Sequence, residues 1–245
     1  MAYAQNFIAS LFISFTFVST SFSQSIFGIS PQLLDLFAIN RLFSHHKIPN
    51  DNNALYCDSW RFTVDTNDAG VWTLVPEKCT AYVKDYMTGH RYSSDSTAVA
   101  DQSLAFANTV KVSNDRMDAW IFDIDETLLS NLPYYVTHSF GSEVFDEIAF
   151  DKWVTEAEAP AIPASLKLYK ELQLRGFKIF LLTGRSEYQR NDTEKNLVHV
   201  GYKNWERLIL RLQDSGNSGD QWSDLMGFSV AQRSFKLPNP MYYIA

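Results

Sequence analysis

The chain has 245 residues, 46% of them hydrophobic and 15% aromatic, which suits a folded domain with a sizeable core and excludes a disordered chain. Lys and Arg number 21 against 28 Asp and Glu, a net charge of −7 that repels a phosphate backbone and argues against a nucleic-acid partner. Past residue 30 no apolar run is long enough to span a bilayer, and 10 Gly with 8 Pro rule out collagen-like or low-complexity structure.

The N-terminus differs from the rest. No charged side chain occurs from Met1 to Leu34, and Phe7–Val18 reads FIASLFISFTFV. Ser21-Phe22-Ser23 then offers a small-x-small cleavage pattern. Residues 1–23 read as a secretory signal peptide, although Lys and Arg are missing ahead of the apolar run. The alternative is a buried N-terminal strand or helix. A mature chain beginning near Gln24 would enter an oxidising compartment, secreted or vacuolar. Cys57 and Cys79 fit that compartment, and a bridge between them would stabilise by about 3 kcal/mol in the chain-entropy account. Two separate buried thiols are the alternative. Asn191-Asp192-Thr193 is a glycosylation triplet.

Residues 24–56 end in Asn50-Asp51-Asn52-Asn53 and read as an extension or linker. Residues 57–92 carry turn signals and aromatics without a period that assigns their fold. Ser93-Ser94-Asp95 precedes apolar residues at helical spacing and predicts a capped helix over 93–112. Met117–Phe122 (MDAWIF) is a short apolar run suited to a strand. Ala164–Arg175, closed by Gly176, predicts a helix with a C-cap glycine. Phe177–Leu182 (FKIFLL) predicts a second strand, residues 187–199 another helix, and Leu208–Leu212 (LILRL) a third strand. Strand, helix, strand, helix, strand argues for an α/β fold with a parallel sheet covered on both faces and right-handed crossovers. Ligands in such folds bind at the C-terminal strand ends.

Polar motifs follow all three strands. In extended backbone Asp123 and Asp125 of DIDET point the same way. Such a pair can divide nucleophile from general acid/base work, or bind a hard cation. A polar strand end is the bland alternative. An EF-hand loop starting at Asp123 fails at Leu128, where Gly is needed, and at Tyr134, where Glu is needed. Thr183-Gly184-Arg185 offers a hydroxyl and backbone N–H groups for phosphate oxygens at a strand-to-helix turn. Asp220 and Asp224 supply further carboxylates, for a metal or for a solvated turn with a helix cap.

The strings FDIDETLLSNLPYY (122–135), AIPASLKLYKELQLRGFKIFLLTGR (161–185), GNSGDQWSDL (216–225) and RSFKLPNPMYYI (233–244) resemble the plant acid phosphatase and vegetative storage protein family of the haloacid dehalogenase (HAD) superfamily. The resemblance runs from about residue 57 to the end and implies one HAD-type domain over 57–245. That fold is a Rossmann-like parallel sheet with helices on both faces and a small helical cap. The implied reaction is hydrolysis of small phosphomonoesters. Asp123 would be the nucleophile and Asp125 the acid/base. Thr183, with Gly184, would bind phosphate, and Mg2+ would be held by Asp123, Asp125, Asp220 and Asp224. Asn131, Tyr134, His138 and Trp153 fall where the family's substrate-shaping elements lie, and packing is their plainer reading. No membrane anchor is implied, and a homodimer is left open.

One departure stands out. The family carries a lysine on a helix between its second and last motifs. Here LILR runs almost directly into LQDSGNSGDQW, so one helix–strand unit is missing. Lys195 and Lys203 do not match that lysine, and Arg211 would have to turn into the site to replace it. A catalytically silent storage protein on the same fold is therefore the second reading.

Overall fold

The computed structural model describes residues 52–69, 73–113, 118–211 and 232–243. Three helices come first: α1 (Asn52–Asp65), α2 (Thr80–Thr88) and α3 (His90–Ala107). Strand β1 (Ala119–Phe122) follows, then α4 (Leu132–Thr137), α5 (Glu147–Glu156) and α6 (Pro163–Leu174). The chain continues through β2 (Lys178–Ser186), α7 (Arg190–His199) and β3 (Arg207–Arg211). Helix α1 begins ahead of the expected linker boundary. The signal-peptide segment, Asp220 and Asp224 lie outside the described residues.

Helix α3 starts at His90, not at the expected Ser93. The polar cluster read as a cap lies inside the helix. There Ser93 donates back to the His90 carbonyl, and Asp95 accepts from the Tyr86 hydroxyl at 2.7 Å. At the other predicted stop, Gly176 does adopt left-handed backbone, φ +89°, where an L side chain would be strained.

The three strands are parallel in the order β1-β2-β3. Phe122 pairs with Leu181, and Leu181 with Leu208. This register aligns one apolar face, and all three side chains are buried. Leu168, Tyr169 and Leu172 of α6 and Leu197 of α7 join the same core. The opposite face carries Ile121 and Ile209, 60% and 38% exposed. Among the described residues that face is therefore partly open, and β1 pairs with a strand on one edge only. Open apolar sheet is unfavourable.

A second core joins α1, α2, α4 and the C-terminal segment through Trp60, Val83, Tyr86, Tyr135, Phe140 and Met241. Cys57 and Cys79 form a disulfide there, with Cα atoms 5.4 Å apart. Among the described residues no cysteine is left free, and no helix is long and apolar enough to cross a membrane.

Candidate active site

Strand β1 ends at Phe122, and the chain coils at once around Ile124, which is fully buried. The Ile124 carbonyl accepts from the N–H groups of Thr127, Leu128 and Leu129 at 3.3, 2.9 and 2.8 Å. So tight a coil needs one residue in left-handed backbone, and that residue is Glu126, φ +52°. Asp123 and Asp125 flank Ile124. Asp123 is buried and Asp125 half-buried.

Strand β2 supplies the other half. It runs on to Ser186, so Thr183-Gly184-Arg185 lies within the strand and not in a turn beyond it. Ser186 still pairs with Arg211 of β3 across an irregularity in the ladder. Leu181, Thr183 and Arg185 alternate onto the buried side, while Gly184 faces open space. The Arg185 N–H donates to Thr183 Oγ1 at 3.2 Å.

Arg185 reaches directly to Asp125. Its Nε donates to both carboxylate oxygens, at 3.2 and 3.0 Å, and its Nη2 donates to Oδ1 at 2.7 Å. Nη1 donates to Thr193 Oγ1 at 3.1 Å, which locks the fork in place. Burial pushes the Asp125 carboxyl up. The Arg185 charge, with hydrogen bonds from Arg185, Asn131 and Thr183, outweighs burial and holds it below the ordinary carboxylate range. Burial likewise works against the Arg185 charge. Asp125 outweighs it, assisted by Asp123 and Glu126, so the guanidinium stays charged.

Asn131 is the second support. Its Nδ2 donates to Asp125 Oδ1 at 2.7 Å and to Glu126 Oε2 at 3.1 Å. Its Oδ1 accepts from Trp153 Nε1, on α5, at 2.8 Å. Asn131, for which packing was the plainer reading, thus reaches Asp125 directly, and Trp153 reaches it through Asn131. Tyr134 and His138 stack on each other, with centroids 3.9 Å apart.

Asp123, Asp125 and Thr183 therefore gather around Arg185, with Gly184 on the open side. Lys195 and Lys203 are exposed, and the Arg211 side chain is outside the described set. Arg185 was missed as a site residue. Its signal was positional: a charged residue alternating with Leu181 and Thr183 onto a buried face needs a charged partner. Thr193 stood out in sequence only as the end of a glycosylation triplet. It is fully buried, whereas Asn191 is exposed. Asp123 and Asp125 offer oxygen donors suited to a hard cation. Among the described residues, no group of three or more His, Cys, Asp or Glu is placed to hold one.

A family model described as HAD superfamily, subfamily IIIB (Acid phosphatase), matches residues 42–218 and 215–245. The chain belongs to this family. Acid phosphatase 1 of Solanum lycopersicum is 50% identical over 214 residues, covering 78% of this chain and 84% of the relative. A stem 28 kDa glycoprotein of Glycine max is 39% identical, covering 77% and 84%. Vegetative storage protein 2 of Arabidopsis thaliana is 32% identical, covering 91% and 89%. The fold is also that of a class C acid phosphatase from Bacillus anthracis solved with tungstate bound. That structure has a TM-score of 0.55 at 21% identity over 68% of this chain and 86% of the other. The acid phosphatase family model matches in two stretches that meet at 215–218, beside the junction where LILR runs into LQDSGNSGDQW.

Proposed function

We propose that this chain is an acid phosphatase acting on small phosphomonoesters through Asp123 and Asp125. The carrying observation is the Asp125 carboxylate, held between Arg185 and Asn131 on the same coil as Asp123. In the first step an Asp123 oxygen attacks phosphorus, and Asp125 gives its proton to the departing alcohol oxygen. The result is an acyl phosphate on Asp123. In the second step Asp125 takes a proton from water as the water oxygen attacks phosphorus. Inorganic phosphate leaves and Asp123 is restored. Thr183 and Gly184 are assigned to the phosphoryl oxygens, where a hydroxyl and a backbone N–H without a Cβ nearby can approach closely. Arg185 holds Asp125 as the carboxylate, the form needed for the second step. The proton that Asp125 takes from water in that step is the one it gives to the next departing alcohol.

Mg2+ is assigned as the cofactor, with Asp123, the Asp125 carbonyl, Asp220 and Asp224 holding it. When bound it supplies positive charge that offsets the crowding of carboxylates and phosphate. The disulfide suits an oxidising compartment, which supports a secreted or vacuolar destination.

A trapping experiment tests the covalent step. Acid-quenched protein, stopped during turnover of an aryl phosphate, is expected to carry phosphate that hydroxylamine releases. Asp123→Asn is expected to carry none. Equal labelling of both chains would remove Asp123 as the nucleophile.

The missing lysine favours a second reading, a storage protein on this fold that does not turn over. A folded, soluble chain that never takes up phosphate is its expected signature.

A further inference from the structure

We propose that Glu126, Asn131 and Tyr242 form a positioning device through which the C-terminal segment sets the carboxylate of Asp125. The proposal rests on the phosphatase reading for its effect on rate, and on geometry alone for the device itself.

Residues 232–243 lie across three parts of the molecule. Phe235 stacks on Trp120 of β1, with centroids 5.7 Å apart and planes 12° apart. Lys236 pairs with Asp65 of α1 at 3.9 Å. Met241 is fully buried, and its carbonyl oxygen lies so close to Gly141 that a Cβ there would approach to 1.8 Å. Gly141 also has φ +87°, so no other residue fits beneath the segment. The Tyr242 ring then stacks on Tyr135 of α4, with centroids 5.5 Å apart.

This docking aims the Tyr242 hydroxyl at the catalytic coil, where it donates to Glu126 Oε2 at 2.7 Å. Glu126 is wholly buried and has left-handed backbone. Both features are costly for a glutamate and persist only where neighbours hold it. Asn131 holds it from the other side, through its N–H to Oε1 at 2.5 Å and its Nδ2 to Oε2 at 3.1 Å. Nδ2 is shared with Asp125 Oδ1. Trp153 donates to the amide oxygen of Asn131 and so prevents the amide from turning over. Tyr242 and Asn131 therefore serve one Glu126 oxygen. Without the phenol, that oxygen draws Nδ2 away from Asp125.

The test uses the full chain with Tyr242→Phe and Tyr243→Phe. Both keep the ring. Tyr243 lies on the same segment but donates to Asn67 Oδ1, in the turn after α1 and away from the coil. Tyr242→Phe is expected to lower kcat on an aryl phosphate about tenfold, the scale of one hydrogen bond to a charged group, with KM little changed. Tyr243→Phe is expected to keep the native kcat. Amide exchange across residues 124–131 is expected to quicken in Tyr242→Phe alone. Equal kcat and equal exchange in the two variants would overturn the proposal. If the native chain shows no turnover, the phosphatase reading fails by itself, and the exchange comparison still decides the device.

Discussion

Arg185 is 5% exposed and lies across the half-buried Asp125 carboxylate, so the two side chains act as one unit. The Asp125 carboxyl is held below its ordinary value of about 3.9. A depressed carboxyl adds stability above its unfolded pKa and loses it as pH falls through the folded value. Between neutral pH and mild acid this group therefore leaves the native chain's stability unchanged. Arg185→Ala leaves a half-buried carboxylate without its charged partner, with an expected cost of about 3 kcal/mol at neutral pH, the low end of the range for buried pairs. Without the Arg185 charge the carboxyl rises toward where burial pushes it, against only the Asn131 and Thr183 hydrogen bonds, so it takes up a proton more readily on acidification and the deficit shrinks. Urea unfolding of both chains at neutral and mildly acid pH checks this, and an equal deficit at both would contradict it. Asp123, Asp125 and Thr183 were legible because short motifs followed apolar runs. Glu126 was not. Its place depends on a left-handed backbone and on a tyrosine more than a hundred residues away in sequence.

At the scale of elements, the Cys57–Cys79 bridge joins α1 to the short turn of helix Glu77–Cys79 that leads into α2. Replacing both cysteines by Ala is expected to cost about 3 kcal/mol of unfolding free energy. A reducing agent should lower the native chain's unfolding free energy, read from urea curves, by a similar amount and leave the variant's unchanged. A variant as stable as the native chain would refute the staple. The strands were readable as apolar runs, and α6 by its terminal glycine. Helix α1 was harder. Helix α3 was readable from the spacing of its apolar residues, but not its start or its inner face, because the buried stripe of Tyr92, Ser96, Ala100, Ser103 and Ala107 is largely polar or small. Strand β2 ran past its expected end because Ser186 pairs with Arg211, a contact between distant residues that local sequence does not reveal.

At the scale of the molecule, the parallel sheet places the DIDET coil, at the end of β1, beside Thr183 within β2. The same sheet leaves Ile121 on an open face among the described residues. The family match divides at 215–218, and the alignment with the tomato enzyme spans 214 positions against 78% of a 245-residue chain. The two matched stretches of the family model meet beside the point where LILR runs into LQDSGNSGDQW. Arg185 brings a buried cation to the carboxylates in a chain without the family's lysine. The most direct test is hydrolysis of a chromogenic aryl phosphate by the purified chain at acidic pH, with Mg2+ and then with a chelator. The account predicts turnover that the chelator abolishes and that Asp123→Asn lacks. A folded native chain with no turnover, or turnover that survives in Asp123→Asn, would contradict it.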